Sequence, residues 1–157
     1  MEQFYQNMLS FIRQHPHIKR NILFITHYFS YITFCLYSCT LIYLYIAKSP
    51  FLFESIWKPL TAFLIVTIFR KIINRLRPYD VYNIVPLVEH KHGESFPSRH
   101  TVSAFIIAFI CLHVHFYLGI FALLIATIIS VSRILCGVHY ISDVIVSVII
   151  AVMIYFI

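Results

Sequence analysis

Glycine is almost missing from this chain, with 3 residues in 157. Few segments alternate apolar and polar residues. Together these shortages argue against a transmembrane β-barrel, whose strands alternate along their length. Charge is scarce too: Asp, Glu, Lys and Arg make up 11% of the chain, against about 25% in soluble domains. A soluble domain of this length could not hide an apolar share of 61%, so the expected solvent is lipid. The four cysteines, Cys35, Cys39, Cys111 and Cys136, lie in or beside apolar stretches. Cysteine there behaves as a small hydrophobe, and neither a disulfide framework nor a metal site is expected of it. The N-terminus lacks a basic stretch followed by an apolar core, so no cleavable signal peptide is expected. No internal repeat or low-complexity tract stands out.

What is there is a set of long apolar runs. Ile22 to Ala47 contains no Lys, Arg, Asp or Glu, and a helix of that length crosses about 30 Å of hydrocarbon with tilt. A second span is expected from about Phe51 to Phe69, with Glu54 and Lys58 at i, i+4, able to pair near the headgroups beside Trp57. A third runs from about Ser98 or Arg99 to His115, a fourth to about Ser132 or Ile134, and a fifth from about Tyr140 to Ile157. Residues 2–15 intersperse Phe4, Tyr5, Met8, Leu9, Phe11 and Ile12 with polar residues, the pattern of a helix lying flat on a bilayer. The fold expected is an all-α integral membrane protein. It is one domain over 1–157, with an amphipathic interfacial helix in 1–20 and a bundle of about five transmembrane helices in 21–157.

Three polar islands interrupt this hydrocarbon: Arg70-Lys71 to Arg77-Pro78, Pro97-Ser98-Arg99-His100, and Ser132-Arg133 followed by His139 and Asp143. Ionisable residues beside a membrane segment are costly and tend to be functional. The expected hairpin order brings the ends of spans two and four and the starts of spans three and five to one membrane face, so the islands converge. His139 and Asp143 at i, i+4 share a helix face; a carboxylate on one imidazole nitrogen leaves the other as base or nucleophile. Ser98 suits a helix N-cap, where free N–H groups attract anions. His100 is placed to protonate a departing oxygen. Arg70, Asn74 and Arg77 share one helical face, and arginine forks match phosphate oxygens. The formal net charge of +6 comes from basic residues at helix ends, so a membrane or an anionic substrate is the expected partner rather than nucleic acid. The pairs His90/His92 and His113/His115 lack further ligands around them in sequence, and no metal site is expected.

Order, spacing and residue types together resemble the type 2 phosphatidic acid phosphatase family, which shares its site with vanadium haloperoxidases and some bacterial acid phosphatases. That family's signature reads KxxxxxxRP, PSGH and SRxxxxxHxxxD. The third element matches at Ser132, Arg133, His139 and Asp143. The second matches except that Arg99 replaces glycine. The first keeps Arg77-Pro78, with Arg70 at the lysine position and Lys71 one place later. The resemblance covers roughly residues 65–150, and the family's usual six-span plan is shortened, with the amphipathic piece in place of a first span.

The resemblance implies that His139 is the nucleophile forming a phosphohistidine, that Asp143 orients it, and that His100 protonates the leaving group and later helps activate water. It implies that Arg70 or Lys71, Arg77, Ser98, Arg99 through its backbone amide, and Arg133 bind the phosphoryl oxygens. The arginines would neutralise charge as Mg²⁺ does elsewhere, so no cofactor is expected. The activity implied is removal of a terminal phosphate from a lipid phosphate or diphosphate. Undecaprenyl diphosphate comes first, then phosphatidylglycerophosphate or phosphatidate. A small transporter or a scaffold is the alternative of another class. The expected location is a bacterial cytoplasmic membrane, with the site on its extracytoplasmic face. The sequence sets no oligomeric state.

Overall fold

A computed structural model describes residues 1–89 and 91–157. Among them are seven helices: α1 (Glu2–Gln14), α2 (Pro16–Ile46), α3 (Phe51–Ile73), α4 (Pro78–Val81), α5 (Arg99–Val114), α6 (Phe116–Leu135) and α7 (Ile141–Phe156). Five of these make the expected bundle. α2, α3 and α6 are each long and apolar enough to cross a membrane. α5 and α7 have 16 residues each, about 24 Å of helix. α5 stands at the centre, packed on α2, α3, α6 and α7.

Local chemistry sets the boundaries. Pro16 ends α1, as expected, but also opens α2 at its first turn, where a missing N–H costs nothing. The span therefore begins before Ile22. α3 runs past Phe69 to Ile73 and stops where Asn74 turns left-handed, at φ 39°, a conformation asparagine tolerates. The expected Glu54–Lys58 pair forms at 2.8 Å, and Lys58 also donates to the Tyr155 carbonyl at 2.8 Å, holding α3 to the end of α7 away from the polar islands.

Inside the bundle the α5–α6 seam is built from small residues, Ala104, Ala108, Cys111, Ala122 and Ala126, all buried. Such side chains let helices approach closely in lipid, where dispersion rather than water exclusion drives association. Hydroxyls within the spans are satisfied by their own helix: Thr40 donates to the Leu36 carbonyl and Ser130 to that of Ala126. Facing outward are large apolar side chains such as Phe24, Phe34, Ile42, Leu124 and Ile149, the surface a bilayer wets.

α1 also packs on the protein itself. Its stripe Tyr5, Leu9, Ile12 is buried against the protein's own polar end, with Ile12 beside Ile22, Cys136 and Val138. Phe4 and Phe11 remain exposed. The same amphipathic pattern thus serves as a plug over the α6–α7 link.

Candidate active site

All three islands arrive at one end of the bundle, on the last turns of α3 and α6, the first turns of α5 and α7, and the loop 74–98. The loop is pinned by its backbone: Ser95 N–H donates to Arg75 O at 2.8 Å, and Leu87 N–H to Cys136 O at 3.0 Å.

Asp143 is the hub. Fully buried, it caps α7 by accepting from the Tyr140 N–H at 2.9 Å. It also accepts from the Ser95 hydroxyl and from Arg75 Nη1 at 2.7 Å. Its Oδ2 lies 3.5 Å from His139 Nδ1, which is an ion-pair distance longer than a hydrogen bond. Nδ1 makes no hydrogen bond and faces the carboxylate, so Nε2 is the nitrogen left for outside chemistry. The His139 carbonyl accepts from Tyr5 Oη at 3.1 Å, which ties α1 to the site. Burial pushes the Tyr5 phenol up to about 12, with Asp143 adding to the effect, so it stays a donor. Burial likewise holds the His139 imidazole below its ordinary pKa, with Arg77 and Arg70 acting the same way and Asp143 opposing. The ring is therefore neutral near pH 7.

Three guanidiniums at this end of the bundle are nearly closed off: Arg70 at 6%, Arg77 at 5% and Arg133 at 3% exposure. Each leans on backbone carbonyls. Arg70 Nη1 donates to Pro97 O at 3.1 Å, Arg77 Nε to Gly93 O at 2.9 Å and Nη1 to Val138 O at 3.2 Å, and Arg133 Nη2 to Thr26 O at 3.1 Å. Arg70 Nε and Arg133 Nε are buried without a hydrogen bond; Glu94 approaches Arg70 Nε only to 3.7 Å. Buried cations with unmet donors favour an anion.

Ser98 sits fully buried at the N-cap position of α5, but its side chain makes no cap bond. Its hydroxyl accepts from Thr101 Oγ1 at 3.1 Å and its N–H donates to Ser147 Oγ at 2.8 Å. The expected cap is therefore replaced by a tie from α5 to α7. Lys71 is exposed, whereas Arg70, one place earlier on α3, is buried. Arg99 and His100 are half-buried and line cavities. The more polar of two cavities, about 470 Å³, is bordered by Thr26, His27, Ser30, His100 and Arg133 among others. An apolar one of about 340 Å³ is bordered by Phe34, Phe63, Arg99, His100 and Ile107 among others, and shares Ser30 and His100 with the first. His139, 3% exposed, lines neither.

Residues 51–157 match the sequence pattern of the PAP2 superfamily, which takes in every island and four of the five spans. The chain belongs to the PAP2 superfamily. It is 38% identical over 88 residues to the bacitracin transport permease protein BcrC of Bacillus licheniformis, a match covering 53% of this chain and 43% of that protein. The matched stretch is thus under half of that relative's length. The fold resembles the crystal structure of Aquifex aeolicus LpxE, with a TM-score of 0.78, 27% identity, and 98% of this chain and 91% of that one covered. It also resembles a transmembrane PAP2-type phosphatidylglycerolphosphate phosphatase from Bacillus subtilis, with a TM-score of 0.76, 24% identity, and 99% and 80% covered.

Within this PAP2 site several residues escape a reading of the sequence. Arg75 belongs to the first island, yet its partner Asp143 is 68 positions away. Ser95 and Ser147 carry no local signal. His27, on α2, borders the polar cavity from a run that reads as plain hydrocarbon. Three histidines of the two pairs singled out in the sequence have structural surroundings. His92 pairs with Asp80, His113 stacks on Phe51 at 3.8 Å, and His115 accepts from the Leu118 N–H at the start of α6. His90 lies outside the described residues.

Proposed function

We propose that this PAP2 protein is a lipid phosphatase that removes the terminal phosphate of a lipid phosphate or diphosphate through a phosphohistidine. One observation carries the reading. Three buried arginines, the His139–Asp143 pair and His100 gather at a single end of the bundle, where the apolar helices stop. A transporter would place such groups at mid-span, and a scaffold has no use for a neutral buried imidazole backed by a carboxylate.

In this reading the phosphoryl group enters among Arg70, Arg77 and Arg133, which exchange backbone carbonyls for phosphate oxygens; charge-assisted bonds to the anion are the stronger ones. His139 Nε2 attacks phosphorus, and the bond from phosphorus to the lipid-side oxygen breaks. That oxygen takes a proton from His100 and leaves. Water then attacks the phosphohistidine and gives its proton to His100, releasing inorganic phosphate and restoring His139. Ser98 positions the start of α5, and Arg99 contributes at its first turn. The guanidiniums supply the charge neutralisation, so the reaction is assigned no metal.

Undecaprenyl diphosphate is the first substrate by analogy with small members of the family, ahead of phosphatidylglycerophosphate and phosphatidate. The site is assigned to the extracytoplasmic face of a bacterial cytoplasmic membrane. Purified protein in detergent, without added metal, is expected to release phosphate from undecaprenyl diphosphate, and His139→Ala to abolish it. Unchanged release in that variant would remove His139 as nucleophile.

A further inference from the structure

Arg99 stands where the family signature has glycine, and its side chain reaches towards the α3 face that also carries Arg70. Ser98 and Thr101 on the same turn are fully buried against α7 and each other. The Arg99 guanidinium instead projects towards α3 and lies 5.7 Å from the ring centre of Phe63, in the wall of the apolar cavity. Its Nε is buried without a hydrogen bond, and among the described residues no carboxylate pairs with it. A cation beside a ring is partly compensated, but one facing an apolar groove in a membrane protein is costly unless an anion joins it.

The order of groups between the two cavities says which anion. Arg133 borders the polar cavity, His100 belongs to the wall both cavities share, and Arg99 borders the apolar one, ahead of Ile107 deeper in α5. A lipid diphosphate presents matching chemistry in the same order. Its outer phosphoryl group meets the arginines, its bridging oxygen meets the proton donor, its inner phosphate comes next, and its hydrocarbon last. A lipid monophosphate would set carbon against Arg99.

We infer that Arg99 receives the inner phosphate of a lipid diphosphate and makes this site selective for diphosphates over monophosphates. This rests on the phosphatase reading above. When the outer phosphorus–oxygen bond breaks, the inner phosphate departs as a lipid monophosphate, and Arg99 neutralises the charge that grows on it. The apolar cavity takes the first part of the prenyl chain.

The test compares kcat/KM for farnesyl diphosphate and farnesyl monophosphate in detergent. Wild type is expected to favour the diphosphate. The diphosphate-to-monophosphate ratio is expected to fall at least about tenfold in Arg99→Gln, the loss of a charge-assisted contact, and less in Arg99→Lys. A ratio unmoved in Arg99→Gln overturns the assignment to Arg99 while leaving the phosphatase reading intact. Wild type that cleaves neither substrate, or only the monophosphate, overturns the diphosphate reading and this inference with it. Should Arg99→Gln lose all turnover, thermal stabilisation by a methylene-bridged farnesyl diphosphonate replaces the rate. The inference expects wild type to gain more from it than the variant, and equal gains refute it.

Discussion

Asp143 faces the proposed nucleophile, and Arg75 is the one cation hydrogen-bonded to it among the described residues. Asp143 faces His139 Nδ1 across 3.5 Å while Arg75 grips its other oxygen at 2.7 Å and lies 4.1 Å from the Tyr140 ring centre. His139 must be neutral to attack, and burial holds its pKa below the ordinary imidazole value, helped by Arg77 and Arg70. A lowered pKa keeps the ring unprotonated into more acidic solution. The acid limb of kcat/KM, which reports the free enzyme, is therefore expected below about pH 6.5. Asp143 is the group that pulls the other way. In Arg75→Gln its charge is no longer shared, so the His139 pKa rises and the limb moves to higher pH. With the ring less firmly held, kcat is expected to fall about tenfold and KM to change less than about twofold. A pH–rate profile of the variant checks this. A limb that stays in place while kcat falls would give Arg75 a role in folding only. Arg75 was visible in the sequence as one more basic residue of an island. Its work was not, because only the tertiary fold brings residues 75 and 143 together.

At the scale of elements, the α5–α6 hairpin sets how the site is framed, since it carries Ser98, Arg99 and His100 at one end and Arg133 at the other. The two helices come very close near the far turn. A methyl group added at Gly119 would meet the Leu112 Cα at 2.1 Å, and backbone cannot step aside as a flexible side chain does. Gly119→Ala is expected to cost stability at or above the top of the roughly 1–3 kcal/mol seen for overpacking. A lowered thermal midpoint in detergent checks it, and an unchanged midpoint would mean that the helices part freely there. Spans were the most legible feature of the sequence, because lipid demands continuous apolar helix and hydropathy records it directly. Their ends were less so: Pro16 stops one helix and starts the next, and Asn74 supplies a left-handed stop in place of glycine. α1 shows the limit of pattern reading. The stripe Tyr5, Leu9, Ile12 suits a bilayer surface and a protein surface alike, and its docking on His139 through Tyr5 depends on a link that only folding creates. The motif residues were legible because spacing puts them at helix ends. Lys71 failed to join them because one residue along a helix turns a side chain by about 100°.

For the whole molecule, charge and proposed chemistry point to opposite sides of the membrane. Of the 12 Lys and Arg, only Lys48 and Lys58 lie at the far end of the bundle. Positive loops face the cytoplasm during insertion, which on a plain count would turn the site inward. The count is not plain, however. Arg70, Arg75, Arg77, Arg99 and Arg133 belong to the proposed site, and Arg13 donates to the Val85 carbonyl, so each has a reason other than topology to lie at this end. The exposed remainder at this end is Lys19, Arg20, Lys71 and Lys91, and three of these flank α2 and α3 where an anionic leaflet could hold them on either side. On family resemblance the site is assigned outward, and the exposed loop carrying Glu89 and Lys91 goes with it. A variant without the four native cysteines and with Lys91→Cys is expected to react with a membrane-impermeant maleimide in intact cells, while one with Lys48→Cys reacts only after lysis. The reverse pattern would place the site in the cytoplasm and make the substrate an inner-leaflet lipid.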